Sequence, residues 1–445
     1  MTPEITKGSV DPKLRRQPRR SVRAGSSGLQ SKSIESAFLV FVTTSSFVFI
    51  GLAGQVYIAE LVLSIYVFHR IASSQLVPIR VPAWTLWTLL VWLVGTIASD
   101  IALGSDALQT IRGIARIVFL AIDLIALYLL INGRMKLIFT AWIGLIAASV
   151  LSFIFQPSTF ARALPWKFEF GVPVTIAVAL WLGSNDSRLR WGAPALFTMT
   201  GIHFALGFRS MAVVSLLTGF ILLVRARTEI SPEHGRFGRW RPLVIGFGGS
   251  SAGIFLIDLY DRLAIAGTFG GIAQQKAMFQ AGGDYGSLLS SRSEFFLSIG
   301  TILKQPLLGG GSFSLASPDT VQNAASLYNA WGYTSVASRM LLDVPAYHST
   351  LLGSWAENGV LALPFWLAVL GVFIKGLVSV LYRECHAPAL VALLCTSGIW
   401  DLMFSPFGAE RRMWLALSVV TVITLIYRTK GIEKRATNFH CNNKL

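Results

Sequence analysis

Long apolar runs separated by short polar or basic connections dominate this sequence. Several runs of about 18 to 24 residues contain few charges, which is long enough for a helix to cross a hydrocarbon core of roughly 30 Å. The pattern therefore predicts an all-α fold, a polytopic transmembrane helical bundle of about 12 helices. The predicted helices are centred on residues 37–55, 56–72, 82–104, 111–131, 136–155, 171–184, 191–207, 210–224, 243–260, 359–381, 388–404 and 413–427.

Composition supports a membrane protein. The chain is 53% hydrophobic and 13% charged, whereas a soluble domain carries roughly 25% charged residues. Its net charge of +16 lies mostly in the tails and in particular connections, which is typical of orientation signals and does not indicate nucleic-acid binding. Cys385, Cys395 and Cys441 lack the spacing of a disulfide framework or a metal site. We therefore expect no metal, no cofactor and no nucleic-acid partner.

Charge in the connections predicts the orientation of the helices. Basic residues follow every second predicted helix, as expected for cytoplasmic connections, so both termini are expected in the cytoplasm. The predicted order is a disordered basic tail (1–35), nine membrane helices (36–260), one long outer loop (261–347), three membrane helices (348–428) and a second cytoplasmic tail (429–445). The basic connections contain Arg70, Arg80, Arg134, Lys136, Arg188, Arg190, Arg225, Arg227, Arg236, Arg239 and Arg241.

Three arginines on the predicted outer side break this orientation rule. Arg209 lies in a tight connection between two predicted helices, and Arg112 and Arg116 are four residues apart, hence on one helix face. A guanidinium binds phosphate oxygens in a bidentate fork, so arginines at the outer boundary suit a diphosphate headgroup. The alternative is that they reach lipid phosphates or pair with acidic residues.

The long outer loop contains a predicted amphipathic helix that begins near Ser291. Its apolar residues have helical spacing, which predicts a helix on the membrane surface, and Arg292 lies at its N-terminus, where backbone N–H groups also favour an anion. These apolar residues are Phe295, Phe296, Ile299, Ile302 and Leu303. The glycines at 309–311 lack the following Gly-Lys-Ser/Thr of a phosphate loop and predict a chain reversal.

A histidine closes the loop. His348 has a pKa range that suits it to accept a proton from a sugar hydroxyl, which makes it the candidate catalytic residue. Glu357, nine residues further on, would lie too far along a helix for direct contact, and we expect it to support the turn or pair with an arginine. Asp123, in the middle of a predicted membrane helix, is expected to be paired.

The order of these parts resembles the superfamily of O-antigen ligases and of O-antigen and exopolysaccharide polymerases, which are bacterial membrane glycosyltransferases. The resemblance covers roughly residues 200 to 385. It is carried by Arg209-Ser210, Ser291-Arg292 before the amphipathic helix, the turn at Gln305-Pro306-Leu307-Leu308-Gly309-Gly310-Gly311-Ser312-Phe313, His348, and Glu357-Asn358-Gly359. The family usually has Asn after the histidine, where Ser349 stands here.

The resemblance implies a multi-pass protein of the bacterial inner membrane with a periplasmic active site. Arg209 and Arg292 would bind the diphosphate of an undecaprenyl-diphosphate-linked glycan, and His348 would be the base or orienting group at the acceptor. The implied reaction is an inverting, metal-independent glycan transfer. We favour an exopolysaccharide or O-antigen polymerase, for which polysaccharide export and chain-length proteins are candidate partners.

Three alternatives remain open at this point. An O-antigen ligase would differ from a polymerase in its acceptor alone, which would be lipid A core instead of a growing glycan. A transporter of lipid-linked glycans would also have many helices, although no matched halves with broken helices are found in the sequence. A non-catalytic assembly factor could use the long loop for docking.

Overall fold

The computed structural model describes residues 26–51, 54–73, 82–230, 237–280, 293–342, 347–382 and 385–426. These residues are predominantly helical, as the apolar pattern predicts. The helices are α1 (Ser26–Thr44), α2 (Ile58–Ala72), α3 (Ala83–Leu103), α4 (Ala107–Ile131), α5 (Met135–Phe155), α6 (Thr159–Ala163), α7 (Gly171–Gly183), α8 (Gly192–Ala205), α9 (Arg209–Ile230), α10 (Phe237–Ile265), α11 (Gly271–Gln280), α12 (Ser293–Lys304), α13 (Pro318–Ala330), α14 (Thr334–Leu342), α15 (Thr350–Asn358), α16 (Leu363–Tyr382), α17 (Pro388–Phe404) and α18 (412–426).

Six helical stretches among the described residues are long and apolar enough to cross a membrane. They are Ala83–Leu103, Ala107–Ile131, Met135–Phe155, Trp166–Gly183, Arg209–Arg227 and Val360–Tyr382. Ser33–Phe47 and Pro388–Phe404 are apolar but shorter. The chain is therefore compatible with a multi-pass membrane protein, with fewer spans of full length than the twelve predicted.

The chain between α1 and α2 differs from the predicted helix over 37–55. Helix α1 ends at Thr44, and a short antiparallel pair follows, in which Phe49–Gly51 (β1) pairs with Gln55–Tyr57 (β2). The hydroxyls of Ser45 and Ser46 donate to carbonyl oxygens three residues earlier, which offers the backbone an alternative to further helix. Apart from this hairpin, the regular structure of the described residues is helical. Helix α1 begins inside the predicted tail 1–35, and residues 1–25 and 427–445 lie outside the described residues.

One large apolar core joins most of the long helices. Its largest fully buried side chains include Trp92, Trp142 and Trp366, contributed by α3, α5 and α16. Large apolar side chains also remain exposed on the same helices, among them Trp87 (66%), Ile101 (76%) and Ile143 (58%). A helix that packs against the protein on one side and faces lipid on the other is expected to carry apolar residues on both sides.

Part of the long loop predicted between residues 261 and 347 is folded, over the described residues 293–342. Helices α12, α13, α14 and α15 contribute to a second apolar core, which includes Leu297, Tyr328, Met340 and Ala356. The amphipathic helix is confirmed as α12, but its buried residues Leu297 and Ile302 pack into this core, while Leu303 is 77% exposed. The apolar residues of α12 therefore serve mainly a protein core, not a free membrane-surface face.

The glycine turn docks against the end of α15. Gly310 and Gly311 donate backbone hydrogen bonds to the carbonyl oxygens of Ala356 and Glu357, at 2.7 and 2.8 Å. A Cβ at Gly359, which has a φ of +73°, would overlap the carbonyl oxygen of Leu307. The chain reversal predicted for the glycines is confirmed, and it fixes the segment 305–313 against Glu357-Asn358-Gly359.

Candidate functional site

His348 and Glu294 form a histidine–carboxylate pair. The Nδ1 atom of His348 lies 3.7 Å from an Oε atom of Glu294, with the two side chains 44% and 19% exposed. This distance exceeds that of a hydrogen bond, although catalytic pairs are often loose before substrate binds. A carboxylate at this position can orient an imidazole and stabilise its protonated form while the other ring nitrogen faces a substrate.

Both neighbours of His348 are held in place by the protein. The hydroxyl of Tyr347 lies 3.0 Å from Oγ1 of Thr301 on α12, and burial raises the pKa of this tyrosine, which stays protonated at neutral pH. Ser349 caps α15 by accepting a hydrogen bond from the Leu352 amide, and its hydroxyl donates to the Leu402 carbonyl oxygen. Ser349 therefore has a structural use, as a helix cap that also ties α15 to α17.

Arg209 begins α9 and contacts α10 and α11. Its guanidinium donates to a carboxylate oxygen of Asp261 at 3.0 Å and to Oε1 of Gln280 at 2.9 Å. The guanidinium carbon lies 4.9 Å from the ring centroid of Tyr260, and the arginine side chain is 23% exposed. These contacts fix a positive group at the surface in one orientation, which suits anion binding but also stabilises the fold.

Arg116 is committed to a contact inside the protein. It donates to Oε2 of Glu357 at 2.6 Å, and the two side chains are 7% and 13% exposed. Phe313 covers its guanidinium, with 4.9 Å between the ring centroid and the guanidinium carbon. The expectation that Glu357 pairs with an arginine is confirmed. Arg112, one turn earlier on α4, is exposed beside Gly54.

The predicted site residues therefore fall into separate groups. Arg112 and Arg116 share a face of α4, Glu357 joins Arg116, and Arg209 lies with the ends of α10 and α11. Arg292 lies outside the described residues, although it precedes Glu294 by two positions in the sequence. Among the residues that the structure describes, no group of His, Cys, Asp and Glu is suited to hold a metal ion.

A second buried charge cluster lies between α2, α4 and α18. The guanidinium of Arg412 donates to both carboxylate oxygens of Glu60, the Nη2 contact being 2.9 Å, and both side chains are at most 5% exposed. Asp123 interacts electrostatically with these two residues. Contrary to the expectation that Asp123 is paired, neither of its carboxylate oxygens has a hydrogen-bond donor among the described residues, and the residue is fully buried.

The sequence indicated the candidate functional residues themselves more readily than the residues that contact them in the fold. Glu294 is the one glutamate between residues 261 and 347, a signal that could have drawn attention to it. Asp100 was also missed, although it accepts hydrogen bonds from the amide and hydroxyl of Ser312 at 2.7 and 2.8 Å and so anchors the glycine turn to α3. Nothing in local spacing relates residues 100 and 312.

Comparisons of this chain with protein-family models, with characterised proteins and with solved structures each found no match.

Proposed function

We propose that this protein is an inverting, metal-independent membrane glycosyltransferase of the bacterial inner membrane. It transfers a glycan from an undecaprenyl-diphosphate carrier to an acceptor at the periplasmic face, most simply to extend an exopolysaccharide or O-antigen chain. In this proposal a twelve-span topology would put segment 261–347, which includes the folded residues 293–342, in the periplasm. A polymerase is preferred to a ligase, which differs in acceptor alone.

The pair formed by His348 and Glu294 is the observation that carries the proposal. An acceptor hydroxyl must lose a proton as it attacks the anomeric carbon, and His348 is a surface-accessible group that can take it. Glu294, 3.7 Å away, would stabilise the imidazolium that results. The bond from the anomeric carbon to the diphosphate breaks as the new glycosidic bond forms, so the configuration at that carbon inverts.

The departing diphosphate needs positive charge, which we assign to Arg209 and Arg292, with Arg112 as an accessible additional group. Preorganised donors that face developing negative charge are commonly the largest contribution to catalysis. Asp261 holds the Arg209 guanidinium at 3.0 Å before the carrier binds. Because Arg116 is buried against Glu357, we assign this pair the role of positioning α4 and the glycine turn instead of contacting the carrier.

The direct test is an assay of purified full-length protein in lipid vesicles that contain an undecaprenyl-diphosphate-linked oligosaccharide. We expect release of undecaprenyl diphosphate together with longer lipid-linked chains, in the presence of a metal chelator. Transfer to added lipid A core instead would identify a ligase. A protein that moves the lipid-linked donor across the bilayer without releasing diphosphate would be a transporter, and the proposal would then be wrong.

Replacing Arg209 with Ala should lower this transfer rate by about 10²- to 10³-fold, the usual loss when one donor to a developing anion is removed. Arg209→Lys should retain part of the activity because it keeps the positive charge. It should not retain all of it, because a lysine lacks the bidentate fork of a guanidinium. The matched control is Asp261→Asn, which removes the ion pair and leaves the guanidinium. Equal losses in Arg209→Ala and Asp261→Asn would show that Arg209 acts through the fold alone.

The side of the membrane can be tested with single cysteines. Ser338 is exposed on α14, so Ser338→Cys should react in intact spheroplasts with a membrane-impermeant maleimide. Cys441, in the C-terminal tail, should react after permeabilisation only. Burial raises the pKa of Cys385 to about 11, and Cys395 is fully buried, so neither should contribute background labelling. Protection of the Ser338→Cys thiol in intact spheroplasts would place the segment in the cytoplasm.

A further inference from the structure

An uncharged, hydrogen-bonding surface covers the folded segment beside the proposed site. Residues 320–338 contain no Asp, Glu, Lys or Arg, although they form most of two helices with solvent-exposed faces. Soluble domains on average carry about 25% charged residues. The exposed side chains of this stretch are mainly amides and hydroxyls, namely those of Gln322, Asn323, Ser326, Asn329, Thr334, Ser335 and Ser338.

An aromatic cluster borders this surface. Trp331, at the end of α13, is partly exposed, and its ring centroid lies 5.4 Å from that of Phe296 and 5.7 Å from that of Tyr328. Tyr328 is fully buried, so it forms a fixed support beneath the tryptophan. Asn323, Leu327 and Trp331 follow at four-residue spacing and therefore form one ridge of α13 that runs from an amide to an aromatic ring.

The surface belongs to the same folded segment as the His348–Glu294 pair. Phe296, which contacts Trp331, stands two residues after Glu294 on α12. The Glu294 carboxylate is near enough to Tyr328 to act on it electrostatically. A ligand bound along α13 would therefore occupy the folded segment that also carries Glu294 of the proposed pair.

We propose that this surface, centred on the ridge of Asn323, Leu327 and Trp331, binds an uncharged segment of an oligosaccharide. Sugar rings offer apolar C–H faces that stack on an aromatic ring and many hydroxyls that exchange hydrogen bonds with amide side chains, which are both donors and acceptors. The lack of charge over 320–338 matches a neutral ligand and disfavours a nucleic acid or an anionic membrane surface. That the bound segment is the acceptor chain rests on the proposed function.

The test is the binding of neutral glucose and galactose hexasaccharides to the purified full-length protein, measured by saturation-transfer NMR and calorimetry. Wild-type protein should bind at least one of them. Trp331→Ala should weaken binding by about 3- to 10-fold, and Trp331→Phe by less. Because Trp331 also contacts a core, the double variant Asn323→Ala, Leu327→Ala supplies an exposed-face test with the same direction of change. Trp191→Ala, which removes an exposed tryptophan outside this segment, should bind as wild type does.

The outcomes separate this surface from the transfer reaction. If the protein binds the hexasaccharides but transfers no glycan, the proposal of an oligosaccharide-binding surface stands and its role in binding the acceptor is wrong. If the wild-type protein both binds the oligosaccharide and transfers glycan, the surface variants should raise the KM for the acceptor and leave kcat unchanged. Absence of hexasaccharide binding by the wild type would overturn the proposal, as would unchanged binding in both Trp331→Ala and the double variant. Binding of vesicles through Trp331 in place of sugars would assign the surface to lipid.

Discussion

His348→Ala should lower glycan transfer by about 10²- to 10⁴-fold, the usual contribution of a positioned general base. The imidazole lies at the exposed end of a fixed segment, between the anchored residues Tyr347 and Ser349. Its removal leaves the acceptor hydroxyl without a base, and the side chain is 44% exposed, so its loss should not unfold the protein. The measurement is the rate of undecaprenyl diphosphate release in vesicles, at saturating donor and acceptor.

Two further variants separate a base from a structural histidine. Glu294→Gln should lower kcat less than His348→Ala does, because it weakens the stabilisation of the imidazolium without removing the base. His69→Ala removes an exposed histidine on α2 and should leave transfer unchanged. If His348→Ala retains the wild-type rate, or if its loss is matched by a fall in melting temperature, the base must be sought elsewhere.

A helix could be predicted from the sequence where a long apolar run forms its middle and polar or helix-ending residues stand at both ends. The prediction of 82–104 corresponds to Ala83–Leu103, and that of 388–404 to Pro388–Phe404. The start of α2 was also near its predicted position. The hairpin before it was not predicted, since Phe49, Ile50 and Val56 are as apolar as a membrane helix, and their strand pairing depends on contacts between separate segments.

The candidate site divides in the same way. Single residues with unusual placement, such as Arg209 and His348, could be selected from topology and residue type. Their partners could not, because Asp261 and Glu294 are brought to them by the packing of separate helices. The fold of residues 293–342 was hidden for the same reason. Its core is small and comes from several short helices, so no single apolar run in the sequence reveals it.

The buried cluster of Glu60, Arg412 and Asp123 gives the second large expected effect. Two carboxylates and one guanidinium leave an excess negative charge if all three ionise. Arg412 donates hydrogen bonds to the Glu60 carboxylate and to the Gln55 carbonyl oxygen, but the Asp123 carboxylate has no hydrogen-bond donor among the described residues. Glu60→Gln should therefore destabilise the folded protein by about 3–5 kcal/mol, since removing one partner leaves a buried charge uncompensated. Thermal unfolding of the purified protein in one detergent would measure the change.

Asp123→Asn is the matched control, because it changes the same kind of group in the same cluster. Its carboxylate accepts no hydrogen bond, so an isosteric amide loses no such contact, and we expect a change within about 1 kcal/mol or a gain in stability. The double variant Glu60→Gln, Asp123→Asn should be at least as unstable as Glu60→Gln, since it removes the remaining carboxylate that could balance Arg412. A larger loss for Asp123→Asn than for Glu60→Gln would mean that Asp123 is the ionised partner and that the assignment of charge in this cluster is wrong.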